Sequence, residues 1–355
     1  AAMTWYCEKF YTFLEIDRDG GCWMCCPAWL PTRIGNIMTD KWDDIWNGKA
    51  AGAIRAQVYT GDWNLCRSDL CPKINSDSLP YLSDLDNSDL SNSIKEAIHA
   101  QSTQITDLPT VINFSNDLSC TLQCPSCRVK KILHRKGTTQ YSQQQKINDR
   151  IVELFLTTPT DRKFEIIVTG SGDPFASQIY REMLQNINGL DFPNLTVKLL
   201  TNGIMFTPKI WDTLSHIHPQ LGNCRISFDA GTRATYEELN RVGGKWDLLL
   251  NNCTFLNEKT RQFPNFKLDL DFVVQENNYK EMGMFAELAL SKWDNISSLH
   301  FSRLNDWQTW SQHDYQSRAV HLPHHPAHDQ LLQQLKNPVL EHPKVFLGNM
   351  SNFDV

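Results

Sequence analysis

The rhythm of hydrophobic and polar positions changes near residue 108. From there on, short runs rich in β-branched and apolar residues recur: TVINFS (110–115), FEIIVTGSG (164–172), TVKLLTNG (196–203), CRISFDAG (224–231), KLDLDFVV (267–274) and SSLHFS (297–302). Each reads as a strand. Stretches with helical spacing stand between them, such as QIYREMLQNI (178–187) and ATYEELNRV (234–242). Strand and helix in alternation predict βα units around a parallel sheet. Six units predict an α/β fold of partial-barrel type, with chemistry at the C-terminal ends of the strands. Upstream, NSDSLPYLSDLDNSDLSNS (75–93) is rich in Ser, Asp and Asn and reads as an exposed connection. IKEAIHAQ (94–101) predicts a short bridging helix. The expected organisation is a small domain over 1–75, a linker over 76–107, a barrel over 108–305 and an extension over 306–355 that covers the barrel.

Length and composition fit that picture. A chain of 355 residues has room for two domains. Its 41% hydrophobic and 21% charged residues are ordinary for a soluble globular protein. A net charge of −6 argues against a nucleic-acid partner held by a basic surface. No apolar run approaches the roughly 20 residues that span a bilayer. The start, AAMTWYC, lacks a basic region followed by an apolar one, so no signal peptide is expected and a cytoplasmic location is. In a reducing compartment, eleven cysteines point to metal or catalysis rather than to disulfides. Cys7, Cys22, Cys25, Cys26, Cys66 and Cys71 lie in the first 75 residues, Cys120, Cys124 and Cys127 form a central group, and Cys224 and Cys253 stand alone.

The central group, CTLQCPSCR (120–128), has spacing C-x3-C-x2-C and falls just after the first barrel strand. Three thiols admit three readings. One is zinc, with His134 as fourth ligand. Another is buried packing, against which Pro125 and the polar neighbours speak. The third is a [4Fe–4S] cluster with one iron left open for a substrate or cofactor.

These residues resemble the radical SAM superfamily, whose signature is C-x3-C-x2-C after the first strand of a partial (β/α)6 barrel. The resemblance covers about 108–305. GSGDP follows the second strand, where the family hydrogen-bonds the amino group of S-adenosylmethionine, which implies Gly170, Ser171, Gly172, Asp173 and Pro174 as cofactor contacts. Glycines allow close backbone approach, and Asp173 would offer a carboxylate to an ammonium. TNG closes the third strand with Thr201 and Asn202. Ser227 and Asp229 end the fourth, at the family's ribose and carboxylate contacts, and Val274 and Gln275 end the fifth, near its adenine contacts. The position before the last cysteine, commonly aromatic in the family, is Ser126 here. The resemblance implies S-adenosylmethionine and a [4Fe–4S] cluster on Cys120, Cys124 and Cys127. A reduced cluster, at the low end of the roughly −700 to +450 mV range, passes an electron into the sulfonium. That yields methionine and a 5′-deoxyadenosyl radical that abstracts a substrate hydrogen. An external low-potential electron donor of flavodoxin or ferredoxin type is the implied partner.

Residues 6–72 have a layout of their own. A first cysteine precedes a strand and an Asp-Gly turn. Gly20-x4-Cys25, IGNI (34–37) and IWNG (45–48) follow, and a C-x4-C pair closes the segment. This resembles the SPASM/twitch auxiliary-cluster domains, which usually follow the barrel rather than precede it. One auxiliary [4Fe–4S] cluster on Cys7, Cys25, Cys66 and Cys71 is implied, with Cys26 competing for the place of Cys25, since Gly21-x4-Cys26 fits equally well. Zinc on four cysteines is the alternative. Cys22 and Cys26 are then spare, and either could donate a hydrogen atom to a substrate radical or be inert.

Trp29, Trp42, Trp46 and Trp63 are expected to build the core of the small domain. Cys224 and Cys253 read as packing, and HLPHHPAHD (321–329) reads as a loop. Arg241 either reaches the site or caps a helix end. The tail KVFLGNMSNFDV (344–355) closes the barrel edge or covers the substrate. The resemblance implies a peptide or protein residue as substrate, changed by epimerisation, crosslinking or oxidation. A carbohydrate or other small molecule is the alternative.

Overall fold

Parallel pairing of short strands organises the chain, as the alternating pattern predicts. The computed structural model describes residues 4–351. The first three residues and 352–355, which end the tail, lie outside the described residues. The chain divides into two compact units: one of residues up to Asp117 with 136–171 and 191–196, the other of 118–135, 172–190 and 197 onward.

In the first unit, β1 (Phe13–Asp17), β2 (Gly21–Trp23) and β3 (Gly35–Asn36) form an antiparallel meander. β4 (Val111–Ser115) and β5 (Phe164–Val168) are parallel neighbours. The two groups join directly. β1 runs parallel to β4 with Phe13 opposite Val111 and Asp17 opposite Ser115. Asp17 locks the β1–β2 turn. Its Oδ1 accepts the N–H groups of Asp19 (2.9 Å) and Gly21 (2.8 Å), and its Oδ2 accepts Trp23 Nε1 (2.8 Å) and Arg33 Nη2 (3.0 Å). Gly20 makes the turn possible with φ +78°.

The helix Lys49–Thr60 packs beside this meander and carries a fully buried arginine. Arg55 Nε donates to Phe10 O (2.9 Å), and Nη1 donates to Trp46 O (2.8 Å) and Thr103 O (2.9 Å). Its guanidinium lies over the Trp46 and Tyr11 rings. Burial lowers its pKa to about 10. The side chain therefore ties three separate segments through carbonyls that would otherwise be buried unpaired. Of the four tryptophans expected in this core, only Trp46 is buried. Trp29, Trp42 and Trp63 are half-buried. Trp42 stacks on Trp46, and Trp63 leans on Phe10, so they cover the core rather than fill it.

The second unit holds β6 (Leu195–Thr201) from Val197 onward, β7 (Leu221–Ser227), β8 (Lys267–Val274), β9 (Ser298–Arg303) and β10 (Val345–Phe346), all parallel in that order. β4 to β9 are the six strands read from the sequence. β10 is the part of the tail that adds to the edge beside β9. One face of this sheet is apolar, with Cys224, Ile226, Leu268, Leu270 and Leu299 all buried. Alternate positions, Arg225, Asp271 and His300, take the other face. Cys224 and Cys253 are buried, as expected of packing residues. Where a helix was expected over 234–242, Thr235–Asn240 forms a π-helical turn. Among the described residues, no helix is long and apolar enough to cross a membrane.

Arg55→Met should destabilise the chain by about 3 kcal/mol, because it leaves several buried carbonyls without donors. The shift of the urea midpoint measures it, and a shift within about 0.5 kcal/mol would show that Arg55 does not tie the segments together.

Candidate functional site

The three-cysteine loop lies wholly in the second unit. Backbone and side-chain hydrogen bonds tie it down. Cys120 N–H donates to Ile132 O (2.8 Å), Gln123 N–H to Val242 O (2.9 Å), and His134 N–H to Ser119 Oγ (2.9 Å). Between them, the N–H groups of Cys127 and Arg128 both donate to Cys124 O, which makes one tight turn. Cys120 and Cys124 are buried and Cys127 is exposed.

Each thiol has a nitrogen donor. Asn202 Nδ2 and Leu122 N–H each reach Cys120 Sγ at 3.4 Å. Arg241 Nη1 reaches Cys124 Sγ at 3.4 Å. Arg128 Nη2 reaches Cys127 Sγ at 3.6 Å while its Nη1 donates to Leu118 O. Burial pushes the Cys120 thiol up to about 11, with Asp173 adding to the rise and Leu122 N–H and Arg128 opposing it. Burial also raises Cys124, and the Arg241 cation pulls it back. Desolvation thus favours the neutral form of Cys120 and Cys124, while the donors stand ready for thiolates.

Two carboxylates hold those donors in place. Asp173 Oδ1 accepts the N–H groups of Phe175 (3.0 Å) and Ala176 (2.9 Å). Its Oδ2 accepts Thr201 Oγ1 and Asn202 N–H, both at 2.8 Å. The carboxylate expected to face an ammonium already takes four hydrogen bonds here, and it binds the GSGDP turn to TNG. Asp229, at the end of β7, pairs with Arg241 Nη2 at 2.6 Å and accepts Val273 N–H at 2.7 Å. It stands at φ +56°, a region that costs a non-glycine residue energy. The side-chain amides of Asn240 (2.6 Å) and Asn278 (2.9 Å) both donate to its carbonyl and hold it there. The π turn ends with Arg241 N–H donating to Tyr236 O at 2.7 Å, which aims the guanidinium at Cys124.

Of the sequence candidates, Cys120, Asn202, Thr201 and Asp173 therefore share one hydrogen-bonded set, and Cys124 and Asp229 meet through Arg241 in another. Ser227 is half-buried at the end of β7, and Val274 and Gln275 are buried beneath Asn278, whose Oδ1 accepts Gln275 N–H. Gly172 and Pro174 flank Asp173. Gly170 and Ser171 belong to the first unit. There Ser171 Oγ donates to Ser115 O at 3.0 Å, and a Cβ on Gly170 would stand 2.5 Å from Ser115 Oγ. Arg128 was not singled out from the sequence, although it directly follows the last cysteine. Arg241 was left between two roles, and only the fold shows which thiol it meets.

In the first unit, the turn after Cys26 and the C-x4-C segment are tied by Arg67 N–H donating to Trp29 O at 2.7 Å. The thiols act on one another. Burial raises Cys7 to about 11, and Cys66 adds to it. Burial raises Cys25 to about 12, with Cys7 and Cys26 contributing. Burial raises Cys66 to about 11, with Cys25 and Cys71 contributing. Lys9 opposes the rise at Cys7, Cys25 and Cys26. Cys26 is half-buried near Glu15, whose carboxyl burial raises to about 7. Cys22 is buried in β2 with its Sγ on Gly20 O at 3.7 Å. Among the described residues, no three of His, Cys, Asp or Glu stand in a ready-made metal cage. The donor sets nonetheless suit an iron–sulfur cluster: soft thiols, mutually coupled, with a cation or amide beside them.

The raised thiols have a measurable consequence. Cys7 and Cys120 each have a folded pKa of about 11 against 9.0 for a free thiol, so the folded chain binds more protons than the unfolded one across that window. The metal-free protein should lose roughly 2–3 kcal/mol of stability per such thiol as pH rises from about 9 to about 11. Denaturant midpoints measured against pH test this, and a flat profile would contradict the burial described.

No curated protein matches the chain. Among solved structures it is similar to the radical S-adenosylmethionine methyltransferase TsrM from Kitasatospora setae, with 12% identity, TM-score 0.38, 52% of this chain covered and 32% of that one. Two variants of spore photoproduct lyase also match. The cysteine-to-alanine variant with dinucleoside spore photoproduct has 12% identity, TM-score 0.34, and covers 52% of this chain and 53% of that one. The cysteine-to-serine variant has 11% identity, TM-score 0.34, and covers 72% and 79%. The chain thus spans about a third of the methyltransferase and about half of the first lyase variant. The segment that holds the six amino-terminal cysteines, residues 7–72, matches the SPASM family of iron–sulfur cluster-binding domains.

Proposed function

We propose that the protein is a radical SAM enzyme with an auxiliary cluster, acting on a residue of a peptide or protein. The observation that carries this reading is the set of three thiols in one tied loop, each with its own nitrogen donor. Three protein ligands suit a cubane with one open iron. Cys120, Cys124 and Cys127 would hold a [4Fe–4S] cluster there, which would supply the electron for reductive cleavage of S-adenosylmethionine. The chain's own residues do the rest. Asn202, Arg241 and Arg128 stabilise thiolates at Cys120, Cys124 and Cys127. Asp173 positions Asn202, and Asp229 positions Arg241. Thr201, Ser227, Val274 and Gln275 are the further cofactor contacts in this reading. Cys7, Cys25, Cys66 and Cys71 hold the auxiliary cluster, with Cys26 competing with Cys25. An external low-potential one-electron donor completes the system.

A second reading rests on a separate observation. Arg225 and Asp271 share the polar face of the strands in the second unit, with Nε and Oδ1 3.5 Å apart, and Asp271 Oδ1 is buried without a hydrogen bond. Burial raises Asp271 to about 7. Such a pair suits a small polar substrate, a carbohydrate or a zwitterion.

Anaerobic reconstitution should give about eight irons and eight sulfides per chain, four for each cubane. Replacing Cys120, Cys124 and Cys127 together by Ala should halve that content and abolish release of 5′-deoxyadenosine. Release by the triple variant would sink the reading, as would stoichiometric zinc in the SPASM domain.

Cys22 and Cys26 are the proposed hydrogen-atom donors. Half-buried Cys26 is better placed than Cys22, which is enclosed in β2. In deuterated water, an epimerised product should carry deuterium that is lost in Cys26→Ala with both clusters intact. A product two hydrogens lighter, with Cys22→Ala and Cys26→Ala both fully active, would reject the donor role and favour electron transfer to the auxiliary cluster.

A further inference from the structure

In the first unit, one face of β1, β4 and β5 is apolar: Leu14, Ile16, Ile112, Phe114, Ile166 and Val168 are all fully buried. Register places Glu15 beside Asn113, and Asp17 beside Ser115, on the opposite face. Asp17 already holds the hairpin turn. The other three are not absorbed by the fold. Glu15 Oε2 accepts Asn113 Nδ2 at 3.1 Å, and the carboxylate has no ion pair among the described residues. That bond orients the amide, with its nitrogen toward Glu15 and its oxygen turned elsewhere. Asn113 Oδ1 is then buried without a donor. Ser115 is 5% exposed, and its Oγ acts on the Glu15 carboxylate without meeting hydrogen-bond geometry. Buried polar atoms are seldom left unpaired, because burial strips them of water and returns nothing.

Gly170 keeps side chains away from these oxygens. A Cβ there would stand 2.5 Å from Ser115 Oγ and 3.4 Å from Asn113 Oδ1, so both oxygens reach one point beside the Gly170 backbone. Asn113 Nδ2, already engaged by Glu15, is 3.0 Å from the same point. The hydrogen-bonding sites left over are acceptors, apart from a hydroxyl that can also accept. Lys9, the cation that acts on Glu15, lies over the Phe13 and Trp29 rings instead. Burial pushes the Glu15 carboxyl up to about 7, against the pull of Asn113, Lys9 and Ser115. A buried carboxylate beside two unpaired oxygens is complementary to a cation with several N–H groups. A primary ammonium offers three donors on one compact centre, whereas a guanidinium needs room for a planar fork.

Resting on the reading of the chain as an enzyme that modifies a peptide residue, we infer that Glu15, Asn113 and Ser115 bind a primary ammonium group of the substrate. The group belongs to a lysine side chain or to the amino terminus of the peptide. It donates to the Glu15 carboxylate, Asn113 Oδ1 and Ser115 Oγ, and no covalent bond changes. Cys26 belongs to the same unit, and its thiol, raised first by burial, also feels the charge of Glu15. The anchored group therefore lies in the neighbourhood of the proposed hydrogen-atom donor.

The test uses the reconstituted full chain and the variants Glu15→Gln and Ser115→Ala. Calorimetry measures the binding of three small probes. Nα-acetyl-lysine amide carries only a side-chain ammonium, norleucine amide only an α-ammonium, and Nα-acetyl-norleucine amide neither. One or both of the cationic probes should bind, which identifies the source of the ammonium, and the neutral probe should not. Glu15→Gln should weaken that binding about tenfold and Ser115→Ala about threefold. Both variants should unfold at the same or a higher urea concentration than the native chain, because each loses a buried group that the fold leaves unsatisfied. Binding of the neutral probe as tight as that of the cations would overturn the site, and so would binding of none. Lower urea midpoints in both variants with unchanged probe affinity would make these groups structural and overturn it too. S-adenosylmethionine affinity should be equal in all three proteins. A loss confined to that cofactor would assign the oxygens to it and refute the substrate site. Release of 5′-deoxyadenosine is measured separately. Its absence from the native chain would refute the radical SAM reading, while the probe affinities still decide the ammonium site.

Discussion

Placing thiols that must ionise inside a protein is the constraint on which the second unit is built. A buried thiol resists losing its proton, and a thiolate left in a low dielectric without donors is costly. The response here is distributed. One donor comes from a turn after β6, one from the residue after a π-helical turn, and one from the loop itself. None of these segments is adjacent in sequence, so the loop acquires its chemistry only when the strand ends have assembled around it. The two carboxylates below belong to the same solution. Asp173 and Asp229 are themselves buried, and each is held by backbone N–H groups before it engages Asn202 or Arg241. The strained backbone at Asp229 is what turns its carboxylate toward Arg241, and two asparagine amides keep it there.

The first unit answers a related problem by other means. Its thiols have few donors. They lie in turns whose backbones are tied to one another, with Lys9 as the cation common to three of them. Rigidity comes from polar hubs instead. Arg55 collects carbonyls from three segments, and Asp17 collects four donors around one hairpin turn. Both are polar groups doing in a small domain what a larger apolar core does in a bigger one.

Much of this was legible in the sequence. The six strands fall within a few residues of their expected places, because β-branched runs bounded by Gly, Asn and Asp have a strong local signature. The cysteine spacing and the GSGDP, TNG and SFD strand ends were legible for the same reason. What could not be read depends on distant contacts. Nothing in the sequence singled out Arg128, and Arg241 could as well have capped a helix. ATYEELNRV has the spacing of an ordinary amphipathic helix, and nothing local marks the i→i+5 bond that widens it. Two of the four donors around Asp173, Thr201 Oγ1 and Asn202 N–H, come from a turn some thirty residues away and could not be read locally. Three of the tryptophans were placed inside on hydrophobicity alone, whereas their large rings serve as lids.

The pairing of β1 with β4 bears on how such a chain can be cut and rearranged. The amino-terminal domain looks like a detachable cassette, with a polar connection after it. Yet its first strand lies between its own hairpin and the strand that leads into the cysteine loop, in a register five residues long. Severing the chain in the connection would not separate two finished modules. It would leave β4 with a row of open backbone groups, a template for pairing with other chains. Transplanting the domain to the far end of a relative, or trimming it away, therefore has to supply a new neighbour for that edge.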